Sequence, residues 1–127
     1  MDHIHDHAVT GIERLELELL VRDFTTVLNE GQSHDIAAFL HEHVCYRPSR
    51  TQLVRGRRSV LAMLEEVRLT FDVMQTSLDA VSVNETVVLV EQTIILALPG
   101  SAAQRLMGFA SYRFSGLQIS DWHQIHA

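Results

Sequence analysis

The stretch TVVLVEQTIILAL, residues 86–98, is the longest apolar run of the chain and decides its fold. It is interrupted by Glu91 and Gln92 and is too short to cross a bilayer as a helix, which needs about 20 apolar residues. We therefore predict a long strand. Its apolar residues fall on both faces, with Val87, Leu89 and Ile95 on one side and Val88, Val90, Ile94 and Leu96 on the other. One face must therefore pack on the core, and the other face must also be covered by protein or ligand and not by water.

Helical patterns occupy the chain before this strand. Apolar residues recur at helical spacing over residues 12–28, Ser33 can cap a short second helix, and Gly56 precedes a third apolar helical pattern. Residues 41–48 read as extended, because Pro48 disfavours helix just before it. Three helices are therefore predicted ahead of the main sheet.

Strand patterns follow the helices. The alternation over residues 71–83 slips near Leu78 and Ala80, which predicts a β-bulge or a strong bend. Further strands are predicted at residues 106–114 and 117–126. Helices followed by a meander of antiparallel strands indicate an α+β fold, with helices on one face of the sheet. Since the 86–98 strand is apolar on both faces, we expect its outer face to form a homodimer.

Composition and charge limit the function. The chain has 127 residues, which suits one domain, and we assign residues 11–127 to it and residues 1–10 to a flexible tail. A net charge of −6 argues against nucleic-acid binding. No secretory pattern opens the sequence and Cys45 is its only cysteine, so a cytoplasmic location is expected, without membrane contact. No cofactor and no metal are expected, although an extended tail could bind zinc or nickel through His3, His5 and His7.

Several short motifs in order carry a resemblance to a known superfamily. Leu28-Asn29-Glu30-Gly31, Ala38-Phe39-Leu40, Gly56 and Tyr112-Arg113-Phe114 ahead of Gly116 together resemble the nuclear transport factor 2-like superfamily. Its members include ketosteroid isomerase, limonene epoxide hydrolase and the SnoaL-like polyketide cyclases. The resemblance implies a cone-shaped, cystatin-like fold, with three helices packed on a strongly curved antiparallel sheet around an apolar pocket.

The resemblance does not extend to the catalytic residues of the family. Where ketosteroid isomerase has its base and two acidic donors, this chain has Arg47, Phe24 and Ala110. An arginine cannot accept a proton at neutral pH, so that mechanism is disfavoured. Where limonene epoxide hydrolase has its Asp-Arg-Asp set, the resembling positions are Gln92, Ile94 and Gln124. Tyr46 matches its water-holding tyrosine, and His126 is nearest to the acid of the cyclases.

The resulting interpretation is a small-molecule-binding protein with a pocket for a moderately apolar ligand. Its expected lining is Phe24, Tyr46, Arg47, Gln92, Ile94, Ala110, Trp122 and Gln124, with Arg47 available for a ligand carboxylate. One alternative is an enzyme, a hydrolase, isomerase or cyclase, using Asp121 and His123 or His126. Another alternative is a dimeric scaffold or protein-interaction domain.

The register of the last hairpin distinguishes these candidates. A strict two-residue turn at Ser115-Gly116 would point Asp121 and His123 inward beside Ala110. If Gly116 instead adopts the left-handed conformation with a bulge, Gly108 faces Trp122. Trp122, Gln124 and His126 then point inward. We favour the second register, because it agrees with the inward tryptophan of the family.

Overall fold

The computed structural model describes residues 3–126, with side chains from residue 11 onward. The helices are α1 (His3–Glu30), α2 (Ser33–Ala37) and α3 (Arg57–Thr70). The strands are β1 (Leu40–Arg47), β2 (Val54–Arg55), β3 (Val73–Asn84), β4 (Val87–Ala97), β5 (Gln104–Ser115) and β6 (Gln118–His126). Helix α1 thus begins before residue 12, where the sequence pattern starts. Metal binding by His3, His5 and His7 concerns side chains outside the described part.

One six-stranded sheet carries the fold, in the order β2-β1-β6-β5-β4-β3. Strands β3 to β6 form the expected antiparallel meander. The α+β cone is confirmed, with one correction: β1 runs parallel to β6, so the sheet is mixed rather than wholly antiparallel. No tight turn connects these two strands, and their relative direction is therefore free of the constraint that a hairpin imposes.

The helices cover the inner face of this sheet. Val21 and Phe24 of α1, Ile36 of α2 and Val60 of α3 are almost completely buried. They pack against inward residues of β1, β4, β5 and β6. Between Leu78 and Ala80 the β3–β4 register shifts, which confirms the predicted bulge. The bulge bends the long strand and helps the sheet to curve around the helices.

In the last hairpin the predicted residues of β6 point inward, but their partners on β5 differ from the predicted ones. Ser115 pairs with Gln118, so the turn residues are Gly116 and Leu117, and Gly116 is left-handed with φ 61°. A further register shift lies before Asp121. As a consequence Trp122 faces Tyr112, and the predicted pairing of Trp122 with Gly108 is wrong. The inward orientation of Trp122 and Gln124 is nevertheless confirmed, because both are buried.

Candidate functional site

Three rows of side chains cross the inner face of the sheet. One row joins Val88, Tyr112, Trp122 and Tyr46 across four neighbouring strands. The second joins Val90, Ala110 and Gln124, and the third Gln92, Gly108 and His126. The first row is aromatic and the third is polar, so the inner face changes from apolar to polar towards the end of β6.

Aromatic rings fill the apolar end. The ring of Trp122 stacks on Tyr46 with centroids 4.0 Å apart. Phe24 meets the same indole edge-on at 5.1 Å, and Tyr112 lies parallel to it at 5.8 Å. Such arrangements match the preferred geometries of aromatic pairs. The aromatic rings therefore form a rigid wall built from three strands and one helix, made of Tyr46, Tyr112, Trp122 and Phe24.

Two side-chain hydrogen bonds define the polar end. The Tyr46 hydroxyl donates to Gln124 Oε1 over 2.8 Å. Gln92 Nε2 lies 2.9 Å from His126 Nε2. With the Gln92 amide oriented so that its nitrogen faces the ring, His126 Nε2 accepts and the neutral ring carries its proton on Nδ1. We call Tyr46, Gln92, Trp122, Gln124 and His126 the inner polar site.

Gly108 makes the contact between Gln92 and His126 possible. These two residues stand on β4 and β6, separated by β5 and hence by about 10 Å of backbone. Gly108 lies between them without a side chain. A Cβ there would lie 2.7 Å from His126 Cδ2 and would collide with the Ile125 carbonyl. The glycine thus leaves the space in which the two side chains meet.

Two buried polar atoms of the site have no hydrogen-bond partner among the described residues. They are Gln92 Oε1, an acceptor, and Trp122 Nε1, a donor that has the Tyr112 side chain as a polar neighbour but makes no well-aligned hydrogen bond to it. Gln92 is fully buried and Trp122 is 2% exposed. Leaving such a group unpaired costs about 1–3 kcal/mol. The pair of atoms therefore represents unused hydrogen-bonding capacity inside the fold.

Burial sets the ionisation of the titratable groups. It raises the pKa of Tyr46 and of Tyr112 well above the ordinary value, against a smaller lowering of the Tyr112 pKa by the neighbouring Trp122 side chain, so both phenols stay neutral and can donate. Burial lowers the pKa of His126 below its ordinary 6.5, so the imidazole is neutral at pH 7. The inner polar site therefore carries no net charge at neutral pH.

Most of the predicted pocket residues come together, but Arg47 does not join them. The buried ones are Phe24, Tyr46, Gln92, Ile94, Ala110, Trp122 and Gln124. Arg47 follows the inward Tyr46, and successive residues of a strand point to opposite faces. Its half-exposed side chain lies 3.9 Å from the Asp121 carboxylate. In the backbone register of β1 and β6, Arg47 pairs with His123. Arg47, Asp121 and His123 thus form a separate group on the outer face.

The sequence reasoning missed Gly108 and Tyr112 as parts of the site. Both lie on the same face of β5 as Ala110, and their spacing of two was the available signal. The contact of Gln92 with His126 joins strands that are not neighbours, and no local pattern reports it. No group of three metal-ligating side chains occurs within residues 11–126. Among the described helices, none is long and apolar enough to span a membrane.

Solved structures of low sequence identity share this architecture. An LEH-like epoxide hydrolase from M. tuberculosis superimposes with a TM-score of 0.81 at 17% identity, covering 91% of this chain and 85% of its own. A proposed polyketide cyclase from Xanthomonas campestris pv. campestris gives 0.78 at 20% identity, covering 90% and 92%. Bal32a, from a soil-derived mobile gene cassette, gives 0.80 at 14% identity, covering 90% and 91%. At such identities the likeness concerns the fold alone.

Sequence comparison identifies the family. None of the curated proteins matches the chain. The family model of the SnoaL-like domain matches residues 21–122, which run from the middle of α1 to the inward tryptophan of β6. This range contains all three rows of the inner face except Gln124 and His126. The chain belongs to the SnoaL-like domain family and has the nuclear transport factor 2-like fold.

Proposed function

We propose that the protein binds a moderately apolar small molecule against the inner face of its sheet. The observation that carries this proposal is Gln92 Oε1, a fully buried acceptor without a partner among the described residues, beside an aromatic wall whose indole N–H makes no well-aligned hydrogen bond. A ligand hydroxyl would donate to Gln92 Oε1, and a ligand carbonyl would accept from Trp122 Nε1. Apolar walls with a few oriented polar groups are typical of small-molecule pockets.

The chemistry of the inner polar site supports binding more than catalysis. Gln92, Gln124 and Trp122 orient ligands through hydrogen bonds but do not exchange protons at neutral pH. The side chain of Arg47 lies on the outer face beside Asp121. A carboxylate on the ligand is therefore no requirement for binding inside the cone.

Native mass spectrometry of protein purified from its own host tests the proposal, since a bound ligand would appear as a defined added mass. A thermal-shift screen of small hydroxy-ketones and related metabolites would then identify binders. We expect Trp122→Phe and Gln92→Met each to weaken binding about tenfold, the loss of one buried hydrogen bond. Arg47→Gln, on the outer face, is the control and should bind normally. No retained mass, together with unchanged affinities in the inner variants, would refute the proposal.

A second candidate function is an enzyme in which His126 transfers a proton. The observation in its favour is that His126 is neutral, contacts Gln92 and also lines an open cavity of about 310 Å³. Asp121 and His123 lie on the outer face and would take no part. For this candidate, His126→Gln should abolish turnover of an epoxide or ester panel while leaving ligand affinity within twofold. Turnover retained by that variant would exclude His126 as the proton carrier.

We also propose that the protein is a homodimer joined through the outer face of the sheet. The support is an apolar patch of Leu89, Met107, Phe109 and Ile125, each more than 40% exposed. Exposed apolar clusters of this kind mark protein interfaces. As a scaffold or interaction domain the protein would use the same patch.

The single Cys45 supports a reducing, cytoplasmic setting for either form.

A further inference from the structure

The open cavity that His126 lines lies at the rim of the cone. Pro48, Ser49, Arg50, Thr51, Ile125 and His126 line it, and its volume is about 310 Å³. We call it the rim cavity. Its position follows from the parallel pairing of Arg47 with His123, which places the loop after β1 beside the last residues of β6. The cavity therefore lies between the inner polar site and the outer face.

Hydrogen-bond donors outnumber acceptors among the lining side chains. Arg50 is exposed, and the ion pairs found among the described residues use Arg22, His34 and Arg47 instead. His126 Nε2 is occupied by Gln92, which leaves the protonated Nδ1 as a donor on the ring. Ser49 already donates to Gln52 Oε1 over 3.2 Å. No acidic side chain lines the cavity.

The walls of the rim cavity combine this polarity with apolar surface. Pro48 and Ile125 contribute to the lining, and Ile125 is 42% exposed. A volume of about 310 Å³ lies at the lower end of the range for small-molecule sites. The complementary ligand is thus small, with one apolar part and one acceptor-rich anionic group.

We propose that the rim cavity binds an apolar monocarboxylate, with its carboxylate on Arg50 and His126 and its hydrocarbon part on Pro48 and Ile125. A guanidinium accepts a carboxylate through two parallel N–H···O bonds. Arg50 is the one permanent cation of the lining, so a single negative charge balances it and a phosphate dianion would be left in excess. This site lies outside the cone and does not depend on a ligand inside it.

Calorimetric titration with octanoate tests the rim cavity directly, using octan-1-ol and octyl phosphate as matched ligands. We expect octanoate to bind more tightly than either. Arg50→Gln should weaken octanoate binding at least about tenfold, because it removes two charge-assisted hydrogen bonds. Arg113→Gln is the control, because this exposed arginine lies five residues along β5 from Gly108, the residue that pairs with His126. It should bind octanoate like the unmodified protein.

Two further measurements separate the rim cavity from the interior. The ring signals of His126 should shift in an NMR titration with octanoate, and Trp122→Phe should leave its affinity unchanged. The proposal fails if octanoate does not bind, if Arg50→Gln binds it normally, or if octan-1-ol or octyl phosphate binds more tightly. It also fails if Trp122→Phe weakens octanoate binding, since the ligand would then lie inside the cone.

Discussion

At the scale of single residues, Gly108 decides whether Gln92 and His126 can meet. We expect Gly108→Ala to separate them, because the added Cβ would collide with the Ile125 carbonyl and press on the imidazole. Overpacking of this kind costs about 1–3 kcal/mol. Urea unfolding measures the loss. The control is Gly11→Ala, where a Cβ meets nothing within 4 Å and alanine should stabilise the helix by about 0.5–1 kcal/mol. Equal stability of Gly108→Ala and the unmodified protein would contradict this role.

His126 should also make stability depend on pH. Its folded pKa lies below the ordinary 6.5 because burial disfavours the charged ring, so the unfolded chain binds the proton more readily. The contribution of the neutral His126 ring to the free energy of unfolding is complete above pH 6.5, and it is lost as the pH falls towards the folded pKa. We expect urea midpoints to drop between pH 7.5 and 5.5, and His126→Gln to reduce that drop. The exposed His34, changed to Gln, is the control and should keep the full drop. An unchanged slope in His126→Gln would contradict the assignment.

The difference between Arg47 and its neighbour Tyr46 shows where sequence reasoning about the site ends. Counting along the chain from a family motif places a residue to within about one position. In a strand, however, successive side chains point to opposite faces of the sheet, so an error of one position puts a side chain on the wrong face. One position was enough to move Arg47 from the expected pocket lining to the outer face. Trp122 and Gln124 were placed correctly because the family resemblance implied an inward tryptophan, and the left-handed Gly116 of the structure agrees with the register chosen on that ground.

At the scale of elements, Arg68 joins two helices. It projects from the last turn of α3, and its guanidinium donates to the carbonyls of Gly31 at 2.6 Å and Leu28 at 2.9 Å, at the end of α1. The last turn of α1 has no basic residue of its own. A cation at this end also opposes the negative pole of the helix dipole. Arg68 therefore supplies the cation and the side-chain donors that the last turn of α1 does not contain.

Removing these donors should be costly. We expect Arg68→Ala to destabilise the fold by about 2 kcal/mol, since it leaves partly buried carbonyls without their charged donor. Arg58→Ala is the matched control on the same helix. Arg58 lies in the first turn, where a cation is unfavourable, so its loss should be neutral or slightly stabilising. Thermal unfolding of both variants gives the comparison, and equal melting temperatures would show that Arg68 does not stabilise the end of α1.

Secondary-structure elements that depend on neighbouring residues could be predicted from the sequence. Features that depend on residues far apart in the chain could not. The three helices and the bulge near Ala80 follow from spacing and from a visible change of phase in the sequence. The parallel pairing of β1 with β6 depends on residues some 75 positions apart, such as Tyr46 and Trp122. Local patterns carry no information about that pairing. The inner polar site inherits the difficulty, since β1 supplies Tyr46.

At the scale of the whole molecule, the apolar patch on the outer face should govern assembly. Phe109 is 63% exposed and lies next to Ile125 on β6. Burying such a patch between two copies would remove apolar surface from water at about 25 cal/mol per Å². Against this, each copy carries a net charge of −6, and the two copies repel each other. Dimerisation should therefore strengthen as salt screens the repulsion.

Light scattering coupled to size-exclusion chromatography tests this balance. We expect a dimer whose dissociation constant falls between 50 and 500 mM salt, and a monomer for Phe109→Glu at every salt concentration, because a buried carboxylate without a partner is strongly unfavourable. Leu69→Glu is the matched control. It adds the same charge at an 81% exposed position on α3, and should remain dimeric. A Phe109→Glu protein that still dimerises would place the interface elsewhere, and the outer face would then require a different partner.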